Sequence, residues 1–322
     1  MKVLVTGGAG FIGSNLVRSL LARGDSVRVL DNFSAGKHEN LAGLEGSLEI
    51  VEGDIRDPAV CLSACEGMEG VFHQAAIGSV PRSVEDPMTS HHVNVDGTLN
   101  MLIAARDKKA RRFVYASSSS VYGDAPEAVK VETLPPRPRS PYAVSKLAGE
   151  QYTLVFSFIY GLEGVALRYF NVFGPRQDPE SMYAAVVPKF AAALIAAKRP
   201  TIFGDGDQTR DFTYVDNVVR ANLLAMECPS EACGKAYNVA CGNSTSVNAL
   251  FKMMRERVGG KATKLKPVHE PSQTGDVRDS LASIEAAREG LGYVPTVAVE
   301  EGIRLTVEWY KSKLDAARED KG

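Results

Sequence analysis

The feature of this sequence that most constrains its fold is an alternation, through the first half, of short apolar runs with helix-length segments. The apolar runs are rich in β-branched residues, and segments 11–23 and 98–108 between them have helical length. Near-continuous apolar strands that alternate with helices are typical of a parallel sheet covered on both faces. The sequence therefore predicts a doubly wound α/β fold. The predicted strands cover residues 3–5, 27–30, 48–51, 71–72, 113–115 and 165–167.

The pattern changes after about Gly174, where prolines punctuate the chain and residues 204–207 form a Gly-Asp-Gly-Asp turn cluster. Residues 1–173 are predicted to form the nucleotide-binding domain. Residues 174–322 are predicted to form mainly a smaller α/β substrate-binding domain, with later segments returning to the first domain. A closing helix is expected to bury one apolar face. That face consists of Val299, Ile303, Val307 and Tyr310.

Charge and cysteine content exclude several classes of protein. A formal net charge of −2 provides no field that would attract nucleic acid or an anionic membrane, so neither is expected as a partner. The five cysteines are odd in number and scattered, which suits a reducing compartment better than a disulfide framework. No apolar signal segment precedes the first strand, so a cytoplasmic protein is expected.

A glycine-rich loop follows the first strand and opens the first helix. Residues 6–13 read Thr-Gly-Gly-Ala-Gly-Phe-Ile-Gly. Glycines in such a loop let backbone N–H groups approach a pyrophosphate and let the helix pack close to the strand. The alternative is a glycine-rich turn without a ligand. The position between strand and helix favours a Rossmann dinucleotide site.

Two acidic residues follow neighbouring strands. Asp31 ends the second strand, where a carboxylate accepts hydrogen bonds from a ribose 2′-OH and repels a 2′-phosphate. This position favours NAD over NADP, and the alternative is an ordinary solvated aspartate. Asp54 follows the third strand and is predicted either to reach the adenine or to cap the N-terminus of a helix.

A tyrosine and a lysine share one face of a predicted helix. Ser140 is its expected N-cap and Pro141 its first residue. Tyr142 and Lys146, spaced i and i+4, lie on the same face. A neighbouring ammonium, a nicotinamide ring and the helix N-terminus would stabilise the phenolate, so the pKa of Tyr142 is expected to lie below about 10. The alternative is a surface tyrosine beside a solvated lysine.

A run of serines, a histidine and a pair of cysteines are further polar features of the first half of the chain. The serines at 117–120 follow a strand at the carboxyl edge of the sheet, where hydroxyls can bind a sugar oxygen or simply form a polar turn. His73 is expected to be a packed, hydrogen-bonded histidine. Cys61 and Cys65 have no matching His or Cys pair, so no metal site is predicted.

Taken in this order, the motifs resemble the extended short-chain dehydrogenase/reductase family, and within it the nucleotide-sugar 4-epimerases. The resemblance spans nearly the whole chain. It is carried by the glycine loop, by Tyr142-x-x-x-Lys146 and by residues 73–76, 94–98, 117–123, 167–176 and 204–212.

The resemblance implies that NAD is the cofactor and stays tightly bound. It makes Tyr142 the catalytic base, Lys146 the contact of the nicotinamide ribose and Ser118 the catalytic hydroxyl beside them. With Tyr142 and Lys146, the implied cofactor contacts are Gly7, Gly10, Phe11, Ile12, Gly13, Asp31, Asn32, Ser34, Asp54, Ile55, Gln74, Ala75, Ala76, Asn94 and Tyr169.

The resemblance also implies a UDP-sugar substrate and a homodimer formed through paired helices. Asn171 would contact the sugar-diphosphate linkage and Arg210 the phosphates, although Arg210 also fits a surface salt bridge. Gln273 stands where many relatives carry an arginine on the diphosphate, and Arg278 is the candidate replacement. The other implied substrate contacts are Ser79, Ser118, Val187, Lys189, Phe203 and Ser280.

The implied reaction inverts C4 of the sugar. Tyr142 takes the proton of the 4-OH while a hydride leaves C4 for NAD⁺, the 4-keto sugar turns over, and the hydride returns to the opposite face. Dehydratase relatives carry an Asp-Glu pair directly after the catalytic Ser/Thr. Ser119 and Ser120 stand there, and hydroxyls do not replace carboxylates as general acid and base. Dehydratase chemistry is therefore not expected.

Substrate choice depends on fewer residues. Ser280 aligns with the residue that limits bulk at the sugar C2 position, and a small residue leaves room for an N-acetyl group. The alternative is an ordinary loop serine. A UDP-glucuronate epimerase or decarboxylase remains open and predicts that Arg176 or Arg82 faces the C6 carboxylate. A non-catalytic NAD-binding regulatory protein also remains open, although such proteins usually lose the Tyr or the Lys.

Overall fold

The computed structural model describes residues 1–179, 185–271 and 278–319. Its strands are, in chain order, β1 (Lys2–Thr6), β2 (Ser26–Asp31), β3 (Leu48–Glu52), β4 (Gly70–His73), β5 (Arg112–Ser118), β6 (Val129–Lys130), β7 (Glu163–Tyr169), β8 (Val172–Phe173), β9 (Thr201–Phe203), β10 (Thr209–Arg210), β11 (Thr213–Tyr214), β12 (Lys235–Val239), β13 (Thr245–Ser246), β14 (Val268–Glu270) and β15 (Asp279–Ala282).

The α-helices are, in chain order, α1 (Phe11–Ala22), α2 (Pro58–Ala64), α3 (Val80–Glu85), α4 (Pro87–His91), α5 (Gly97–Asp107), α6 (Pro141–Tyr160), α7 (Val186–Ile195), α8 (Val215–Glu227), α9 (Val247–Val258), α10 (Glu285–Leu291) and α11 (Val299–Glu319). A π-helical segment, His92–Asp96, joins α4 to α5. Within the described ranges no helix is both long and apolar enough to cross a bilayer.

The main sheet has seven parallel strands in the order β3-β2-β1-β4-β5-β7-β12. The strand order reverses between β1 and β4, which is the switch point at which open α/β sheets bind ligands beyond their carboxyl ends. The predicted doubly wound Rossmann fold is therefore confirmed, and each of the predicted strands lies in this sheet.

Alternate residues of β1 explain why helices cover both faces of the sheet. Val3 and Val5 belong to an apolar cluster that includes Leu16 of α1, whereas Leu4 belongs to a cluster on the other face with Met101 of α5. Successive side chains of a strand point to opposite faces, so a strand that is apolar throughout must be covered twice.

A further apolar cluster, here called the helical cluster, forms where α7, α9 and α11 pack together. Phe190, Phe251 and Ile303 lie in it, and the predicted face of α11 is buried there. After residue 173 the chain also returns to the main sheet, because β12 pairs with β7 and α8 packs against α1. The exact domain boundaries stay a prediction.

Candidate active site

The glycine loop forms a cradle that only glycines can line. Gly7 has φ +65°, and a Cβ there would lie 2.7 Å from the Cα of Ala75. A Cβ on Gly13 would lie 2.1 Å from the carbonyl oxygen of Gly7. Helix α1 begins at Phe11, and its N-cap, Gly10, supplies no side-chain hydrogen bond. The first N–H groups of α1, including those of Phe11 and Ile12, therefore remain available to an anion such as a pyrophosphate.

Asp31 ends β2 and is buried rather than solvated. Its carboxylate oxygens accept hydrogen bonds from the backbone N–H of Ala9, at 2.9 Å, and of Phe33, also at 2.9 Å. The residue thus fixes the glycine loop to the end of the second strand. Because a carboxylate has about four acceptor positions, two of them remain for ribose hydroxyls.

Asp54 lies beside Asn32 in a small polar cluster. The amide of Asn32 donates to Asp54 at 2.8 Å, and the Ser34 hydroxyl donates to Asn32 at 2.7 Å. A hydrogen bond from the Arg56 guanidinium is the main cause that holds the pKa of Asp54 well below its usual range. The predicted alternative of a helix cap is wrong, because Asp57 caps α2 by accepting the N–H of Ala59.

Other predicted cofactor residues surround the end of β4. Gln74 donates to Asn222 at 2.9 Å, and the Tyr169 hydroxyl donates to Gln74 at 3.2 Å. Ala75 donates its N–H to the Thr6 hydroxyl at 3.2 Å, and Ala76 follows it in a half-buried position. Sequence reasoning missed Asn222, because only the packing of α8 brings it to this edge.

Asn94 and Ile55 are built into the fold more tightly than their predicted roles required. Asn94 lies in the π-helical segment, accepts the N–H of Ile77 at 2.8 Å and donates to the Ser145 hydroxyl at 3.0 Å. It therefore joins the loop after β4 to α6. Ile55 is buried in the core beside Gly97, so a contact with a cofactor would have to use its main chain.

His73 is a packed histidine, as predicted. Its ring nitrogens bond to the hydroxyls of Thr6, at 2.7 Å, and Thr98, at 3.0 Å. Burial lowers the pKa of His73 to about 3, so the ring is neutral at physiological pH. No group of three or more His, Cys, Asp or Glu side chains placed to hold a metal ion occurs in the part of the chain that the structure describes.

Helix α6 presents the predicted catalytic side chains. Ser140 caps the helix by accepting the N–H of Ala143 at 3.1 Å, and Pro141 is its first residue, as expected. Lys146 is only 4% exposed, and its ammonium donates to the main-chain carbonyl of Ala116 at 2.8 Å. Burial lowers the pKa of Lys146 to about 7. The alternative of a solvated lysine is wrong.

Ser118 ends β5, and its hydroxyl interacts with the phenol of Tyr142, which lies in the first turn of α6. Burial raises the pKa of Tyr142 above its ordinary value, and the interaction with Ser118 opposes this rise. The expected lowering of this pKa depends also on a bound nicotinamide ring, so it stays a prediction. Burial of the phenol opposes it, and the Lys146 ammonium is directed at the Ala116 carbonyl.

Buried polar contacts fix this pair in place. The Ser83 hydroxyl accepts the N–H of Tyr142 at 3.0 Å, a role that sequence reasoning missed. Beneath Ser118, the Ser117 hydroxyl donates to Glu150 at 2.7 Å, and Glu150 forms a buried ion pair with Arg168, also at 2.7 Å. These contacts fix the end of β5 against α6.

Ser120 also lies at this edge. Its N–H donates to the Ser118 hydroxyl at 3.1 Å, while its own hydroxyl is enclosed and has no hydrogen-bond partner within the described residues. A buried hydroxyl without a partner is uncommon, so Ser120 is a further candidate for a ligand contact.

The predicted phosphate residues lie on or next to short strands outside the main sheet. Asn171 has φ +35° and donates to the carbonyl of Asp211 at 3.2 Å. Arg210 of β10 and Ser280 of β15 are register partners on adjacent parallel strands. Arg210 donates to the carbonyl of Arg278 at 2.9 Å.

Several predicted substrate residues differ from expectation. The side chain of Val187 is buried in the helical cluster, so a contact with the substrate would have to use its main chain. The Arg278 guanidinium is 66% exposed and pairs with Asp205 at 3.2 Å. Ser79 caps α3 by accepting the N–H of Arg82 at 3.2 Å.

The remaining predicted substrate residues are more accessible. Phe203 is half-buried at the end of β9, and Lys189 is exposed on α7. Gln273 lies outside the described residues.

The geometry of the cradle fits a dinucleotide. Gly7 and Gly13 leave room where a Cβ would collide, the uncapped N-terminus of α1 suits the pyrophosphate, and Asp31 stands where the adenosine ribose is expected. The Tyr142–Ser118 pair lies at the same edge of the sheet, where the nicotinamide end would lie.

Comparison with known proteins agrees with this geometry. A model of the NAD dependent epimerase/dehydratase family matches residues 3–240. The UDP-glucose 4-epimerase of Mycolicibacterium smegmatis is 43% identical over 317 residues, which cover 97% of this chain and 99% of that protein.

Two solved structures are also similar. The UDP-N-acetylglucosamine 4-epimerase of Methanobrevibacter ruminantium, in complex with UDP-N-acetylmuramic acid, matches with a TM-score of 0.91 at 39% identity, covering 97% of this chain and 98% of that chain. The UDP-glucose 4-epimerase of Thermus thermophilus, in complex with NAD, matches with a TM-score of 0.86 at 39% identity, covering 97% of this chain and 99% of that chain. The chain belongs to the NAD-dependent epimerase/dehydratase family, within the extended short-chain dehydrogenase/reductases, and NAD is its cofactor.

Proposed function

We propose that this enzyme is a 4-epimerase of UDP-hexoses, which interconverts UDP-glucose with UDP-galactose and UDP-N-acetylglucosamine with UDP-N-acetylgalactosamine through a transient 4-keto sugar. The observation that carries the proposal is that the Ser118 hydroxyl at the end of β5 interacts with the Tyr142 phenol, while Lys146, one turn along the same helix, is buried against β5. A phenol, an alcohol and an ammonium at the carboxyl edge of a dinucleotide-binding sheet form a device for removing and returning one proton.

The residues of the chain divide this work. Tyr142 takes the proton of the sugar 4-OH and returns it, and Ser118 holds the same oxygen by a hydrogen bond as its charge changes. NAD, when bound, supplies an acceptor that takes a hydride from carbon and gives it back. Burial raises the pKa of the Tyr142 phenol, so the positive charge of Lys146 and of the cofactor is needed to stabilise the phenolate.

Dehydratase chemistry does not fit this site. It needs a carboxylic acid and a carboxylate next to the catalytic hydroxyl, and this chain has Ser119 and Ser120 there. A neutral hydroxyl near physiological pH is a poor general acid or base. The enclosed Ser120 hydroxyl instead suits a hydrogen bond to the sugar.

Acceptance of an N-acetyl group is proposed from Ser280. This small residue is the register partner of Arg210, the proposed phosphate contact, which supports a position close to the bound nucleotide-sugar. A hydroxymethyl side chain leaves volume that a large aromatic ring would fill.

The proposal is tested with purified enzyme, four substrates and chromatographic separation of the products. UDP-glucose, UDP-galactose and both UDP-N-acetylhexosamines should each give the corresponding 4-epimer. The variant Ser280→Tyr should lose the N-acetylated pair and keep the other, while Ser280→Ala, its matched control, should keep both. No epimer from any of the four by NAD-loaded enzyme would refute the function, and equal loss of both pairs in Ser280→Tyr would refute only the role of Ser280.

Action on UDP-glucuronate is less well supported. It requires a cation that faces the C6 carboxylate, and Arg176 and Arg82 were the candidates. Arg176 bonds to Asn15 on α1, and Arg82 is exposed on α3. A purely regulatory role is also disfavoured, since both Tyr142 and Lys146 are present on α6.

We further propose that the enzyme is a homodimer. The support is the outer face of α6, where Phe158 is 91% exposed and Val155 and Ile159 are also exposed. A second copy of this chain would cover these apolar side chains by pairing helices. Sedimentation equilibrium should give a dimer for the native protein and a monomer for Phe158→Asp, whereas Leu314→Asp on α11 should remain dimeric.

A further inference from the structure

Two cysteines lie close together at the end of the sheet opposite the proposed active site. Cys228 follows the last residue of α8, and Cys233 precedes β12. Their sulfur atoms are 4.0 Å apart, residue Cys228 is buried at 7% exposure, and Cys233 is half-exposed. The other three cysteines have no such partner in the described structure.

An arginine with no exposed surface lies against this pair. The Arg112 guanidinium donates one hydrogen bond to the Cys228 sulfur at 2.9 Å and another to the Cys228 carbonyl, also at 2.9 Å. Its remaining side is occupied by Glu163, at 2.6 Å, and by the carbonyl of Ala225. Arg112 is therefore fixed with one donor directed at sulfur.

The charges around the Cys228 thiol favour its ionised form. The hydrogen bond from Cys233 and the Arg112 cation lower the pKa of Cys228 to about 7, against the effects of burial and of the Glu163 charge. The same pairing raises the pKa of Cys233. Burial raises the pKa of Cys61 and Cys65 to about 12 and of Cys241 to about 11, so these thiols stay protonated.

We propose that Cys228 and Cys233 form a redox-reactive dithiol, a site of modification by a small hydroperoxide such as hydrogen peroxide. Only a small oxidant suits a residue as buried as Cys228. A nucleophilic thiolate with a second thiol beside it is the arrangement in which an oxidised sulfur is captured as a disulfide.

The two steps balance in atoms and electrons. The Cys228 thiolate attacks one peroxide oxygen, the O–O bond breaks, hydroxide leaves, and Cys228 becomes a sulfenic acid. The Cys233 sulfur then attacks the Cys228 sulfur, the S–S bond forms, the S–O bond breaks, and water leaves with the proton of Cys233. Two electrons pass from the sulfurs to the peroxide, and a thiol reductant reverses the change.

The site is tested on the full-length, NAD-loaded enzyme with hydrogen peroxide, followed by alkylation and peptide mass mapping. The native protein should lose two hydrogen atoms in one disulfide between Cys228 and Cys233, while Cys61, Cys65 and Cys241 stay alkylatable. In Cys233→Ser, Cys228 should accumulate as a sulfenic acid that a cyclic diketone traps. In Cys228→Ser, Cys233 should stay reduced.

Three results would each overturn the proposal. These are oxidation of a different cysteine first, an unchanged rate of Cys233 oxidation in Cys228→Ser, and no Cys228–Cys233 disulfide under excess peroxide. Because the dithiol lies at the opposite edge of the sheet from Tyr142, the result is independent of whether the proposed epimerase activity is found.

Discussion

The ammonium of Lys146 donates a 2.8 Å hydrogen bond to the main-chain carbonyl of Ala116, joining helix α6 to the carboxyl end of β5. The close approach depends on Gly149, one turn further along α6, where a Cβ would lie 2.3 Å from the Tyr115 hydroxyl. Lys146 therefore sets the height of Tyr142 above the sheet, in addition to any charge that it supplies.

Replacement of Tyr142 by Phe should abolish turnover and spare cofactor binding. Without the hydroxyl no group takes the proton of the sugar 4-OH, and the loss of a general base should lower kcat by about 10²- to 10⁴-fold. Bound NAD, measured after denaturation, should stay near the native level. Tyr152→Phe, on an exposed part of the same helix, is the control and should keep full activity. Comparable activity in the two variants would mean that Tyr142 is not the base.

Asp31→Asn should weaken binding of NAD and reduce discrimination against NADP. The amide keeps one acceptor for the backbone N–H groups of the loop but has no charge to repel a 2′-phosphate. A lost charge-assisted hydrogen bond of about 1.5–3 kcal/mol corresponds to a 10- to 100-fold weaker affinity, measurable by calorimetry on the stripped enzyme. Asp57→Asn, at the cap of α2, is the matched control because Asn caps helices as well as Asp. If the ratio of the affinities for NAD and NADP is unchanged in Asp31→Asn, the predicted ribose contact is excluded.

Glu150→Gln should destabilise the protein strongly. The substitution leaves the buried Arg168 guanidinium without its counter-charge, which costs about 3–5 kcal/mol of unfolding free energy. Denaturant unfolding followed by fluorescence measures the loss. Glu301→Gln removes one partner of the exposed Arg304 pair and should leave the midpoint unchanged. Equal denaturation midpoints for both variants would show that loss of the Glu150 charge does not destabilise the protein.

His73 should make stability depend on pH below neutrality. Its pKa is about 3 in the folded protein and 6.5 in the unfolded chain, so between these values the unfolded state binds more protons. The stabilisation is complete above pH 6.5 and is lost, by about 1.4 kcal/mol per pH unit, as the pH falls toward 3. His73→Gln can still bridge Thr6 and Thr98 but does not titrate. Its unfolding free energy should fall less steeply than that of the native protein from pH 6.5 to 5, and parallel slopes would contradict this account.

The sheet could be predicted from the sequence because each strand is marked by its own residues and their immediate neighbours. Residues 3–5 and 27–30 are continuous apolar runs next to turn residues, and Ser140-Pro141 is a helix start that needs no tertiary context. The same local logic favours Asp57-Pro58 over Asp54 as the start of α2, and that signal was available in the sequence.

The details of the candidate site depend on contacts between distant residues, so the sequence could not specify them. The direction of the Lys146 ammonium is set by the Ala116 carbonyl across the α6–β5 contact, and the pKa of Tyr142 is raised by burial of its phenol in the folded chain. Ser83 supports Tyr142 from 59 positions earlier in the chain. The side-chain amide of Asn94, which lies in the π-helical segment, is engaged in hydrogen bonds with Ile77 and Ser145.

The helical cluster has a consequence beyond packing. Val172 contacts both this cluster and the sheet core, and it follows Asn171, the residue proposed to hold the substrate diphosphate. An interior divided in this way has two places where heating can begin to disorder the chain. A nucleotide-sugar bound by Ser118 on one side and by Arg210 on the other would link the two parts of the protein. Bound substrate would therefore raise the melting temperature of the enzyme.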